Sequence, residues 1–348
     1  MSEAPLLDVR HLKRYFAAGP ARLFGRAATQ VKAVDDVSFA LAAGETLGLV
    51  GESGCGKSTL GRTILRLIEP TAGEIRYEGR DIVGLHGGAL RELRRHLQMV
   101  FQDPYSSLNP RLRVGAAIRE PLDIYREGTA AERRQRVDEL LDLVGLNPSF
   151  AARYPHELSG GQRQRVGIAA ALALKPRVIV ADEPVSALDV SVQAQILNLL
   201  HRVQQEMRLA LIFISHNLSV VEHVSDRVAV MYLGKIVETA PTATLFAAPQ
   251  HPYTKVLLAA IPVPDPTRQL RPVPLTGEIP SPLDPPRGCH FHPRCPEALE
   301  VCGRVEPSLQ EYALGCAVAC HVAARRLGLP NPIEDTDTQR TNQIASLS

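Results

Sequence analysis

The chain has 348 residues, 45% of them hydrophobic, and its 39 basic residues against 37 acidic ones leave a formal net charge of +2. That length and apolar content support a substantial core and more than one domain, while so even a balance excludes the broad basic footprint of a nucleic-acid binder. The longest apolar stretch, Val166 to Ala181, is broken by Lys175-Pro176-Arg177 and falls short of the roughly 20 apolar residues that span a bilayer. The start MSEAPLLDVRHLKRYF lacks the basic-then-apolar pattern of a secretory signal, which predicts a cytosolic location with any membrane crossing left to other chains.

In chain order, Val31–Val34 and Val37–Phe39 read as strands, Gly44 marks a turn, and Thr46–Val50 is the strand that feeds Gly51-Glu-Ser-Gly-Cys-Gly-Lys57-Ser58. That octet matches G-x-x-x-x-G-K-[ST]. Its glycines let backbone N–H groups turn inward onto phosphate oxygens, Lys57 reaches the β- and γ-phosphates, and the Ser58 hydroxyl is a magnesium ligand. The ATP-binding residues expected here are Gly51, Ser53, Gly54, Cys55 and Gly56 of the loop, with Lys57, Ser58 and Thr59 opening a helix. Cys55 reads as a small side chain that the loop tolerates.

Between Asn109 and Pro155 the pattern turns helical, clearest over Ala131–Val144, and predicts a helical subdomain inserted into the sheet domain at about 107–175. Leu158-Ser-Gly-Gly-Gln162 then leads into the apolar helix Arg165 to Leu174, with Ser159 as N-cap. Such a helix start offers free N–H groups and a positive dipole end to a γ-phosphate. Val178-Ile-Val-Ala181 is a buried-strand pattern ending in Asp182 and Glu183, carboxylates that a parallel sheet presents outside its strand ends. Asp182 suits magnesium, directly or through water. Glu183 is free to act as general base on the attacking water. After Asp189, Ile196, Leu199, Leu200, Val203 and Met207 recur at helical spacing, and Leu211–Ile214 reads as a short buried strand. This is βα repetition around a parallel sheet. Ile261–Pro266 and Ile279–Pro286 are proline-rich and predict an extended connector, beyond which lie a separate cysteine-bearing module and, over 331–348, a disordered polar tail.

The ordered set of segments resembles the ATP-binding subunit of an ABC transporter: Walker A at Gly51–Ser58, Q-loop Gln102, signature Leu158–Gln162, Walker B through Asp182 and Glu183, D-loop Ser186–Asp189, and switch His216. The resemblance covers residues 6 to about 325. It implies an α/β P-loop ATPase domain over 1–260 with an N-terminal antiparallel β region and the inserted helical subdomain, then a small C-terminal metal-binding module over 261–330. It also implies that His216 meets the γ-phosphate, that Gln102 senses magnesium, the water and a membrane partner, and that two such subunits sandwich two ATP molecules. Each site is then completed by the other subunit's Ser159, Gly160, Gly161 and Gln162, beside Asp189. An aromatic near residue 16 stacks on adenine in the family; Phe16 aligns better than Tyr15, by a narrow margin.

Val100–Arg111, His251-Pro-Tyr-Thr254 and Gly288–Cys295 are similar to the oligopeptide and dipeptide importer ATPases, in particular to the second ATPase of the pair, whose relatives also import nickel or glutathione. The implied partners are a second homologous ATPase subunit, two transmembrane permease subunits and an extracytoplasmic solute-binding protein, with this chain on the cytoplasmic face of the membrane. A DNA-repair or translation-factor ATPase shares the phosphate loop. The first carries long insertions between loop and signature and the second has two tandem halves, neither of which this chain shows.

Five of the six cysteines cluster at Cys289, Cys295, Cys302, Cys316 and Cys320. Thiolates grouped in a reducing compartment favour metal over disulfides, and four of them suit zinc or an iron–sulfur cluster. Related importer ATPases carry a [4Fe-4S] cluster on such a segment. By that resemblance Cys289, Cys295, Cys302 and Cys320 are the expected ligands and Cys316 the spare, since Ala319-Cys320-His321 resembles the family's last ligand.

Overall fold

The computed structural model describes residues 4–18, 29–103, 108–261, 278 and 280–330. The expected disordered tail, and most of the proline-rich connector, lie outside them. The chain opens with two long strands, β1 (Leu7–Ala18) and β2 (Thr29–Leu41). The two short strands expected over Val31–Phe39 are thus one. Asp36 takes a left-handed φ of 66°, and the pairing steps from Leu12↔Val37 to Arg14↔Val34. A bulge absorbs the aspartate pair without ending the strand.

β3 (Thr46–Val50) leads through the phosphate loop into α1 (Lys57–Ile64), followed by β4 (Ala72–Tyr77), β5 (Arg80–Asp81), α2 (Gly87–Leu93) and β6 (Leu97–Val100). The helical stretch then appears as α3 (Val114–Tyr125), α4 (Ala130–Leu143) and α5 (Gly160–Leu172). Thr129 caps α4 in a reciprocal box with Glu132, which fixes a start one residue before the sequence reading. Strand and helix then alternate through β7 (Val178–Asp182), α6 (Val190–Met207), β8 (Ala210–Ser215), α7 (Leu218–Val224) and β9 (Arg227–Tyr232). β10 (Lys235–Pro241), α8 (Thr242–Ala247) and α9 (Pro252–Ala259) follow, and β11 (Gln310–Ala313), β12 (Cys316–Val318) and α10 (His321–Leu327) close the described chain.

β2, β1, β4 and β5 form an antiparallel sheet in that order, as expected of the N-terminal region. The central sheet runs β11-β12-β10-β9-β3-β8-β7-β6, with β9, β3, β8, β7 and β6 parallel. Every residue of β3, β7 and β8 is buried, because a parallel sheet is covered on both faces. The strand period of two divides them. Val178, Val180, Ala210, Ile212 and Ile214 pack with Leu60 and Ile64 of α1 and with β1 and β2, whereas Ile179, Ala181, Leu211 and Phe213 pack with Val166, Ile196 and Leu199 on the helical side.

The C-terminal segment, expected as a separate module, meets the main domain at the sheet. β12 pairs antiparallel with β10 through Glu238↔Val318 and Thr239↔Ala317, so the segment extends the central sheet. Phe291 and Cys316 join the largest of the three cores, while Val318, Cys320 and Ala323 form a small one within the segment. So small a core gains from sharing that of the main domain.

Candidate active site

Above the carboxyl ends of β3, β7 and β8 lies a cavity of about 670 Å³. Its lining brings together Phe16, Ser53, Gly54, Cys55, Gly56, Lys57, Ser58, Thr59, Gln102, Glu183 and His216, residues read from the sequence as one site. The phosphate loop reaches this shape through Gly56, the N-cap of α1, at a φ of 109°; a Cβ there would sit 1.9 Å from the Ala33 carbonyl oxygen. Only glycine allows the backbone to approach β2 so closely. Lys57 is 5% exposed, and its Nζ donates to the Gly51 carbonyl at 2.7 Å and to the Glu52 carbonyl at 2.9 Å. Cys55 is buried beside it, and burial raises its thiol above the usual range.

Glu183 has a left-handed φ of 45° just beyond β7, and its N–H donates to the Ile214 carbonyl of β8 at 3.0 Å. A non-glycine residue held there costs of order 1–3 kcal/mol and persists only where its surroundings over-determine it. The conformation aims the carboxylate into the cavity. Gln102 Nε2 donates to Oε2 at 2.9 Å, and His216 Nδ1 lies 3.2 Å from Oε1. Gln102 and His216, expected at this site, therefore both meet Glu183.

Asp182 sits below, 1% exposed, accepting from the Ser58 hydroxyl at 2.7 Å through Oδ1. Burial raises its carboxyl above the usual range, although the Ser58 hydrogen bond and Arg62, 3.6 Å away, act the other way. Its Oδ2 is buried without a hydrogen-bond partner among the described residues and has only the Arg62 guanidinium facing it, at 3.6 Å. A buried carboxylate oxygen free of hydrogen bonds, beside a hydroxyl, is the donor set that a hard cation takes. The residues present fit magnesium.

Phe16 and Tyr15, adjacent on β1, are resolved by strand alternation. Tyr15 donates its hydroxyl to Asp35, with Lys32 over its ring, whereas Phe16 lines the cavity. Val31, Lys32, Ala33, Leu233, Gly234 and Pro282 line it too. The sequence reading missed these because they come from a strand, a hairpin turn and the proline-rich connector that only tertiary folding adjoins.

Ser159, Gly160, Gly161, Gln162 and Asp189 do not line this cavity. Ser159 accepts from the Gln162 N–H, Gln162 accepts from the Ser159 N–H, and α5 starts there. A Cβ on Gly161 would lie 2.4 Å from Val192. The signature is thus packed on the start of α6, whose N-cap is Asp189. The two segments form a second, separate surface of the same chain.

All of the cysteines are free. Burial is the leading cause that raises the Cys289 thiol to about 12 and Cys295 to about 11; the charges of Cys320 and Cys302 raise both further. Cys316 instead lies in the core against which Tyr312 packs. Among the described residues no group of three or more His, Cys, Asp or Glu is placed to hold a metal ion, so the expected [4Fe-4S] site at Cys289, Cys295, Cys302 and Cys320 has no geometric support. No helix among the described residues is long and apolar enough to cross a membrane.

Residues 34–186 match the ABC transporter family model, and residues 237–302 match the oligopeptide/dipeptide transporter C-terminal region. A probable peptide ABC transporter ATP-binding protein of Sinorhizobium fredii is 58% identical over 93% of this chain and 91% of its own length. An oligopeptide transport ATP-binding protein of Bacillus subtilis is 53% identical over 92% of this chain and 98% of its own. Among solved structures, a dimeric ATP-binding cassette in a post-hydrolysis state with ADP and Pi superposes with a TM-score of 0.61 at 29% identity, covering 68% of this chain and 98% of that one. Two matching domain models in order, near-full-length relatives and an assembled ATP site lead to one conclusion: the chain belongs to the ABC transporter family, as an ATP-binding subunit of its oligopeptide/dipeptide branch.

Proposed function

We propose that this chain hydrolyses ATP in the cavity above β3, β7 and β8 to drive membrane uptake of di- or oligopeptides. The observation that carries the reading is the Glu183 carboxylate held between Gln102 and His216 on the rim of the phosphate loop. Loop N–H groups and Lys57 bind the phosphates, and Phe16 stacks on adenine. Glu183 accepts a proton from water as the water oxygen bonds to the γ-phosphorus; the bond from that phosphorus to the bridging oxygen breaks, and ADP and phosphate leave. Gln102 and His216 hold that carboxylate in line, and His216 also meets the γ-phosphate. Ser58 and Asp182, with Gln102 nearby, would hold magnesium, which would neutralise charge on the phosphates.

Ser159, Gly160, Gly161, Gln162 and Asp189 act on the ATP of a second, homologous ATPase subunit, a role supported by their placement on a surface away from this chain's own cavity. The further partners are two permease subunits and an extracytoplasmic solute-binding protein, with this chain peripheral on the cytoplasmic face. The peptide solute is supported by the names of the relatives and by the matched C-terminal region. For Cys289, Cys295, Cys302 and Cys320 we retain iron–sulfur loading, supported by donor chemistry alone: four reduced thiols in one segment. Isolation of the native complex with identification of its co-purifying chains tests the whole reading. Two permeases, a second ATPase and a peptide-binding protein are expected; an assembly without permeases overturns it.

A further inference from the structure

Among the described residues of the C-terminal segment, one side chain hydrogen-bonds the phosphate loop. Arg294 ends a short 3₁₀ turn (His292–Arg294) and is 6% exposed. Its Nη1 donates to Glu52 Oε2 at 2.8 Å and its Nη2 to Glu52 Oε1 at 3.0 Å, the fork-to-fork geometry of the strongest guanidinium–carboxylate pairs. Behind it the rings of Tyr232, Tyr253 and Phe291 pack with centroids 4.7 to 5.3 Å apart, and Nη1 lies 3.4 Å from the Tyr232 hydroxyl.

Glu52 is the second residue of the phosphate loop, and its backbone is tied on both sides. Its N–H donates to the Tyr253 hydroxyl at 2.8 Å, and its carbonyl accepts from Lys57 Nζ at 2.9 Å. The path from Arg294 to the Lys57 ammonium therefore runs through one residue: guanidinium to carboxylate, then peptide carbonyl to ammonium. We propose that Arg294 is a positioning residue for ATP binding, with Tyr253 as its second support. By clamping Glu52 it holds the phosphate loop, and through the Glu52 carbonyl the Lys57 ammonium, where the phosphates dock. A loop whose donors are already in place spends less of the ligand's binding energy on ordering. The C-terminal segment is thereby the back wall of the nucleotide site.

The inference rests on ATP occupying this cavity, and its test separates the two. ATP affinity and thermal midpoint are measured on the purified full-length chain for R294M, R294K, E52Q and the R294M/E52Q double variant. R294M and E52Q are expected to weaken ATP binding by roughly threefold to thirtyfold, inside the range of coupling between residues in contact. The double variant loses no more than the worse single one, because each removes the same pair. R294K falls between, since a lysine keeps the charge but not the fork. E52Q alters no residue of the C-terminal segment, so it carries the test if R294M fails to fold. Affinity within about twofold of wild type in E52Q and in every folded Arg294 variant, even with a lowered midpoint, makes Arg294 a staple of the segment only and overturns the proposal, as do additive losses. Absence of ATP binding by the wild type would instead strike the nucleotide reading itself.

Discussion

Glu183 occupies a backbone conformation that its residue type disfavours, and the reason lies in its neighbours. Its N–H is spent on Ile214 of β8, and its two carboxylate oxygens face Gln102 and His216. E183Q keeps the size and removes the base while Lys57, Ser58 and Asp182 stay in place. Turnover by the complex should fall by about 10²- to 10⁴-fold with ATP affinity preserved, read by phosphate release beside nucleotide binding; a rate within a factor of a few of wild type rejects the assignment. Asp182 differs from its neighbour in kind. Buried and bonded to Ser58, it is shaped to take a cation rather than a proton from water.

At the scale of elements, α5 and α9 show how a helix start serves different ends. The start of α5 satisfies its own N–H groups through Ser159 and Gln162 and stands away from the cavity of its own chain. S159R should leave ATP binding at this chain's phosphate loop unchanged while impairing hydrolysis at the partner's, because the bulky cation fills the place of the γ-phosphate. Trapping of nucleotide at each site in the mixed complex reads this, and independence of the two sites refutes it. The start of α9 is capped by His251, 1% exposed, whose Nδ1 accepts from the Tyr253 N–H at 3.0 Å. An acceptor ring must be neutral, and burial, with Lys255 adding to it, holds its pKa at about 3. The folded value lies below the unfolded one near 6.5. The stabilisation is therefore complete above pH 6.5 and is lost as pH falls from there toward 3. Between pH 7.5 and 5 the wild type should lose about 2 kcal/mol that H251N, which keeps an N-cap acceptor, does not. Glu238, which accepts from the His251 N–H and whose pKa burial raises, contributes to both proteins alike, so the difference between their denaturation midpoints isolates the histidine.

Across the whole molecule, the central sheet runs from β6 to β11 and draws the C-terminal segment onto the nucleotide domain. Burial raises the Cys289 and Cys295 thiols, with Cys320 and Cys302 adding to it, while Cys316 lies in the main core. Under the iron–sulfur loading proposed above, anaerobic purification followed by iron, sulfide and zinc analysis finds iron and sulfide. C320S should lower the metal content and C316S leave it unchanged. Zinc without iron replaces the cluster with a zinc site, and neither metal leaves plain buried thiols. Because the segment shares the core of the main domain through Phe291 and Cys316, replacing its buried cysteines should also lower the melting temperature of the whole chain in one transition.

What the sequence by itself determined is local and ordered along the chain. The glycines and Lys57 of the loop, the apolar strand ending in Asp182 and Glu183, and the serine before α5 each carry their chemistry in a few adjacent residues, so spacing suffices to name them. The resemblance then set Gln102 and His216 beside them, which hydrogen-bond geometry at Glu183 now joins. What only the tertiary structure decided depends on residues far apart in the chain. The choice of Phe16 over Tyr15 at the cavity follows from which face of β1 looks outward, and that is set by Asp35 and Lys32 across the sheet. The union of the C-terminal segment with the central sheet rests on β10 and β12. The clamp of Arg294 on Glu52 joins positions 242 residues apart, and no local pattern announces such a pair, because its energy comes from burial and fork geometry that exist only once the chain has folded.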